Sequence, residues 1–198
     1  MDDALFRAGI EPDAYLANLR NYRSFVKALA IEAAVNPSHV QALKAAVADR
    51  PDPVRATMMT EDWCGDSACN FPILTLLFDG AGIPFRVLRG SEQPELKELY
   101  ESDGVDHIPV VSLWDGNGRE FVRWVEAPAA VTAKKDEWKA ARPEFMELYR
   151  RQSQDKAAAK EFAALYRQFL DEMGTWYVAG MWTETTREIV TAAERGRI

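Results

Sequence analysis

The segment Trp63-Cys64-Gly65-Asp66-Ser67 constrains this chain more than any other. It follows an apolar run, Val54 to Thr60, that reads as a strand, and it opens a helical pattern from Ser67 to about Phe78. A cysteine at that junction meets the free N–H groups of a helix N-terminus and the positive end of the helix dipole. Both stabilise negative sulfur. A strand that runs into such a helix must bury its apolar face against it, so a layered α/β architecture with helices on both faces of a sheet is expected.

The rest of the chain fits that architecture. Apolar residues at helical spacing (Tyr15, Leu19, Tyr22, Val26, Leu29) predict a helix over residues 12–34, and Val40, Leu43 and Val47 predict another from Pro37 to Asp49. Asp79-Gly80-Ala81-Gly82 is expected to break the helix that starts at the cysteine. Strand Ile83–Leu88 and a short helix from Pro94 to about Glu101 follow. Pro109–Trp114 and Glu120–Val125 read as two strands joined by Asp115-Gly116-Asn117-Gly118, a hairpin signal. Beyond Pro128 the pattern is helical. Thr185-Thr186-Arg187-Glu188 reads as a capping box opening a last helix. An aromatic stripe from Phe162 to Trp176 suits internal packing, a dimer face or a cover for the Cys64 surface. His39 carries no assigned role.

The β-α-β-α-β-β order from residue 54, the Trp63–Ser67 turn and the Ile108-Pro109 pair some forty residues later together resemble the thioredoxin superfamily. The resemblance implies a thioredoxin-like domain over residues 51–150, with a central mixed sheet flanked by helices. Helical extensions are expected at residues 1–50 and 151–198, the second packing on the domain. It also implies that Cys64 is the nucleophile and that Pro109, after a cis peptide, faces it. Trp63, Gly65, Asp66, His107, Ile108 and Pro109 would contact a substrate segment. This sequence departs from the family pattern at Ser67, which stands where the second, resolving cysteine is usual, and at Met58, where the family carries a buried acid. A proton acceptor would have to come from Asp62, Asp66 or His107.

Three readings of the cysteines stay open. Cys64 acts as a monothiol on a mixed disulfide with a protein or with glutathione, with Ser67 donating to its thiolate. Alternatively, Cys69 resolves Cys64. On one helix the two are separated by a rise of about 7.5 Å, so that bridge needs the first turn to unwind. In the third reading the redox chemistry is lost and a binding or adaptor module remains, with Cys69 a small core residue. Glu61, Asp62 and Asp66 crowd the turn and oppose a thiolate, whereas the helix end favours it. The expected Cys64 pKa is therefore lowered, but less than in an active thioredoxin.

Charge narrows the partners. Residues 1–128 hold 20 acidic and 12 basic side chains, so the part bearing the cysteine is the acidic part. Nucleic acid and anionic membranes are not expected partners. Protein thiols or glutathione are. No apolar run reaches a membrane span and the start lacks a secretory pattern, so a cytoplasmic location is the expectation. Two cysteines and two histidines at these separations suggest no zinc site, and no cofactor is expected beyond glutathione as co-substrate. Oligomeric state is left open.

Overall fold

The computed structural model describes residues 1–196. Four strands, β1 (Arg55–Thr60), β2 (Phe85–Arg89), β3 (Val110–Trp114) and β4 (Glu120–Val125), form one mixed sheet in the order β2-β1-β3-β4. β1 runs parallel to β2 and antiparallel to β3, and β3 pairs antiparallel with β4. The parallel pair needs a crossover, which is α5 (Gly65–Ala81). The hairpin between β3 and β4 is closed by Asp115, whose Oδ1 accepts the N–H groups of Asn117 (2.9 Å) and Arg119 (3.0 Å).

Strand alternation divides the core. Met59, Leu88, Val110 and Trp114 point to one face, where Leu96 and Tyr100 of α6 (Pro94–Ser102) pack on them. Ala56, Met58, Val111 and Leu113 occupy the other positions of the same strands and are all fully buried. α5 is buried almost all round its first three turns, as befits a helix enclosed by packing rather than one lying on a surface. Around it lie α3 (Arg23–Glu32), α4 (Pro37–Val47) and α10 (Trp182–Arg195).

Two details differ from the sequence expectations, while the helix break expected at 79–82 falls within that segment. The predicted helix over 12–34 is two helices, α2 (Pro12–Asn18) and α3, broken where Tyr22 takes a left-handed conformation (φ 57°). At that break the Arg20 amide reaches Asp62 Oδ2 at 3.2 Å, a long-range bond that helical spacing does not reveal. α5 runs through Gly80 and stops at Gly82 (φ 71°). Gly80 serves close approach, since a Cβ there would stand 3.2 Å from both Val40 methyls on α4. α10 begins at Trp182, so Thr185 and Thr186 lie inside it, buried, rather than at its cap.

Both threonines are held by polar partners on neighbouring helices. Thr185 donates to Asn70 Oδ1 (2.7 Å), and Thr186 Oγ1 pairs with His39 Nδ1 (2.7 Å), which gives that histidine a structural role. Asn70 in turn donates to the Asp66 carbonyl (2.9 Å), and the Trp182 indole donates to the Cys69 carbonyl (2.8 Å). α10 thereby holds α5 by polar bonds within its first turns. Thr185→Val is expected to cost about 1–3 kcal/mol, because Asn70 loses its hydroxyl donor in a buried setting. Thr185→Ser should retain most of that. Urea unfolding midpoints of the two variants check it, and equal losses would refute it.

By packing, the chain divides into two compact units: Met1–Ala127 joined by the segment from Trp182 onward, and Pro128–Met181. The second contains α7 (Ala129–Ala140), α8 (Glu144–Arg151) and α9 (Lys156–Trp176). Its core is aromatic: Phe145 sits 5.3 Å from Trp138, 5.3 Å from Phe162 and 5.5 Å from Phe169, centroid to centroid. The aromatic stripe on α9 is used in this packing. α9 continues through Gly174, and the helical path breaks at Gly180 (φ 126°). Among the described residues no helix is long and apolar enough to cross a membrane.

Candidate functional site

β1 delivers the chain to the turn Glu61–Cys64, and Cys64 is the N-cap of α5. Its backbone is extended (φ −78°, ψ 116°), and its sulfur receives the Ser67 N–H at 3.5 Å. The thiol donates to the Ile108 carbonyl at 3.3 Å. The Ile108–Pro109 peptide is cis, as is Asp52–Pro53. Cys64 thus bridges the helix N-terminus and the loop that precedes β3. Gly65 and Pro109 are buried beside it.

Ser67 is buried, and its hydroxyl bonds that of Thr60 at the end of β1. Thr60 also donates to the Glu61 carbonyl at 3.2 Å. Cys69 lies inside α5 with no exposed surface, and both cysteines are free thiols. Trp63 is 60% exposed and stands out from the turn.

The electrostatics correct one expectation. Burial pushes the Cys64 thiol up from its ordinary value of 9.0 to about 11. The Asp66 carboxylate adds to the rise, while hydrogen bonds from Ser67 and the Asp66 backbone offset part of it. Sequence reasoning weighed the helix end against nearby acids and expected a lowered value. It had no access to burial, and with Cys64 only 7% exposed that is the largest cause.

Of the three acceptors considered, Asp62 is buried and engaged by Arg89, with Nε to Oδ1 at 2.9 Å and Nη2 to Oδ2 at 3.3 Å. The Arg89 guanidinium lies 5.6 Å over the Tyr15 ring and 3.5 Å from Glu92. His107 is exposed and bonds the neighbouring Asp106 carboxylate through Nδ1. Asp66 is half-buried beside the thiol. Sequence reasoning missed the Asp62–Arg89 pair. Its signal was a charged residue closing the apolar strand that pairs in parallel with β1, where Arg89 falls opposite Thr60.

Next to the thiol, a cleft of 350 Å³ is lined by Trp63 and Ile108, with Met59 and Val105 supplying apolar surface and Glu61 and His107 polar surface. Glu61 is fixed there by Ser91, whose N–H and hydroxyl reach its carboxylate at 2.6 and 3.2 Å. The arrangement offers an extended chain an aromatic wall and apolar surface, and the Cys64 sulfur bonds the carbonyl of Ile108, one of the lining residues. The structure brings Trp63, Cys64, Ser67 and Ile108 together. It leaves Cys69 behind them in the core.

The fold recurs in solved structures. A protein of unknown function from Pseudomonas aeruginosa superposes with a TM-score of 0.61 over 98% of both chains, at 16% identity. An HIV epitope-scaffold superposes with a TM-score of 0.53 over 65% of this chain and 79% of that one, at 20% identity. At such identities the likeness is one of fold. No curated protein matches the sequence. Residues 9–139, well over half of the chain and including the whole sheet and the cysteine turn, match the family described as thioredoxin. By that match the chain belongs to the thioredoxin family.

Proposed function

We propose that the protein carries out thiol–disulfide exchange as a monothiol, with Cys64 as its one reacting sulfur. The observation that carries this reading is the position of that sulfur, between the Ser67 N–H and the carbonyl of Ile108, a residue that lines the cleft. In the reaction, the Cys64 proton passes to solvent and the thiolate attacks one sulfur of a partner disulfide. A Cys64–partner S–S bond forms, the partner's S–S bond breaks, and the second partner sulfur leaves as a thiolate that takes up a proton. Ser67 offers no second sulfur, so a thiol from glutathione or a protein releases the adduct. Cys69 stays out of the cycle because it is enclosed in α5.

A second reading has its own support. A thiol near 11 is almost wholly protonated at neutral pH, which suits a cleft that binds an extended segment without reacting. The test is prolonged exposure to glutathione disulfide at about pH 9, where about one Cys64 thiol in a hundred is ionised, some hundredfold more than at pH 7. Intact mass and peptide mapping should then find one glutathione adduct, on Cys64. The adduct should vanish in Cys64→Ser and persist in Cys69→Ala. If no adduct forms while peptides still bind the cleft, the binding reading replaces this one.

A further inference from the structure

The cleft beside Cys64 has a charge that its neighbours leave only partly balanced. Its titratable lining consists of three acids, Glu61, Glu101 and Asp106, and two bases, Lys97 and His107. Lys97 is paired with Glu101, with Nζ to Oε1 at 3.5 Å. That leaves Glu61 and Asp106, the latter bonded by His107 Nδ1, so the lining holds three carboxylates against one ammonium and one imidazole. Glu61 spends its hydrogen bonds on Ser91, which carries no charge to balance it. Asp66 brings a third carboxylate close enough to Cys64 to oppose ionisation of the thiol. The two arginines beside the turn, Arg89 and Arg20, are both taken up by Asp62 and Glu92.

From this arrangement, and resting on the exchange chemistry above, we infer the class of its substrate: a polypeptide disulfide with basic residues flanking its cysteine, in preference to glutathione. Oxidised glutathione carries more carboxylates than ammonium groups, so it enters a field of its own sign. A lysine- or arginine-flanked segment enters a complementary one. A cleft of one sign with apolar walls concentrates the opposite charge and speeds encounter, and added salt removes the advantage. The exposed Trp63 ring also offers a face for a cationic side chain.

The experiment compares three disulfides as partners for Cys64 in the full chain: the dimer of a short lysine-flanked cysteine peptide, its glutamate-flanked counterpart, and glutathione disulfide. Rates are taken at about pH 9, where lysine stays charged. Each is divided by the rate of the same disulfide with free mercaptoethanol, to remove differences in the leaving thiol. The lysine peptide is expected to exceed both others by about tenfold or more at low salt, with the ratio collapsing near 1 M salt. Asp106→Asn and Glu101→Gln, both at exposed positions, should each lower that ratio. Equal normalised rates, or a faster glutathione reaction, would overturn the substrate class and leave Cys64 exchange standing. No reaction with any of the three, while the unfolded protein does react, would overturn both.

Discussion

Arg89→Ala is expected to destabilise the fold by about 3 kcal/mol, because it leaves the buried Asp62 carboxylate with only the exposed Arg20 guanidinium, 3.7 Å away, as counter-charge. Both side chains are buried and joined through two hydrogen bonds, so water does not readily replace the lost partner. The effect extends beyond stability. Asp62 also accepts the Arg20 amide, and it lies two residues before Cys64. Removing Arg89 therefore loosens both the break between α2 and α3 and the turn that sets the thiol against the Ile108 carbonyl. Urea unfolding measures the first effect, and Cys64 alkylation in the still-folded protein measures the second. Asp62→Asn combined with Arg89→Ala should recover part of the stability, since no buried charge is then left unpaired. A loss under about 1 kcal/mol in Arg89→Ala would mean that the pair behaves as a surface ion pair.

Cys64 should alkylate slowly at neutral pH, and its rate should climb about tenfold per pH unit without levelling until near pH 11. Relative to an ordinary thiol at 9.0, its thiolate fraction at neutral pH is lower by about a hundredfold. Cys69, enclosed in α5, should stay unlabelled until the protein unfolds. The same shift links to stability. Below pH 9 the thiol is protonated in both folded and unfolded chains, and the contribution is fully present. Between 9 and 11 the unfolded chain releases the proton first, so stability falls as pH rises through the folded value. The total loss is about 3 kcal/mol. Cys64→Ser should remove that part of the alkaline slope. Asp66→Asn should shift the labelling curve modestly to lower pH, because burial is the larger cause. A labelling plateau below about pH 8 would show an activated thiolate instead.

Local pattern carried much of this protein. The Val54–Thr60 run, the hairpin residues at 115–118 and the proline opening α6 specified three strands and a helix within a residue or two of where they lie. Period and turn chemistry act over a few residues, so they can be read directly. The pairing of Trp63–Ser67 with Ile108-Pro109 likewise pointed to two loops, and the folded chain brings these within one hydrogen bond of each other.

Wherever a residue's role depended on a distant partner, the sequence was silent or pointed elsewhere. Tyr22 and Leu19 keep helical spacing, yet the helix breaks between α2 and α3, where the Arg20 amide bonds Asp62. Thr185 and Thr186 have the form of a cap, yet Asn70 and His39 draw them into the interior of α10. The break expected at 79–82 falls at Gly82, while Gly80 within it also lets α4 approach α5. The sequence by itself determined the succession of strands and helices along the chain, the cysteine turn and the acidity of the region around it. Only the tertiary structure decided the state of Cys64, because burial is a property of everything packed around the sulfur, and here it outweighs the helix end that the sequence made visible.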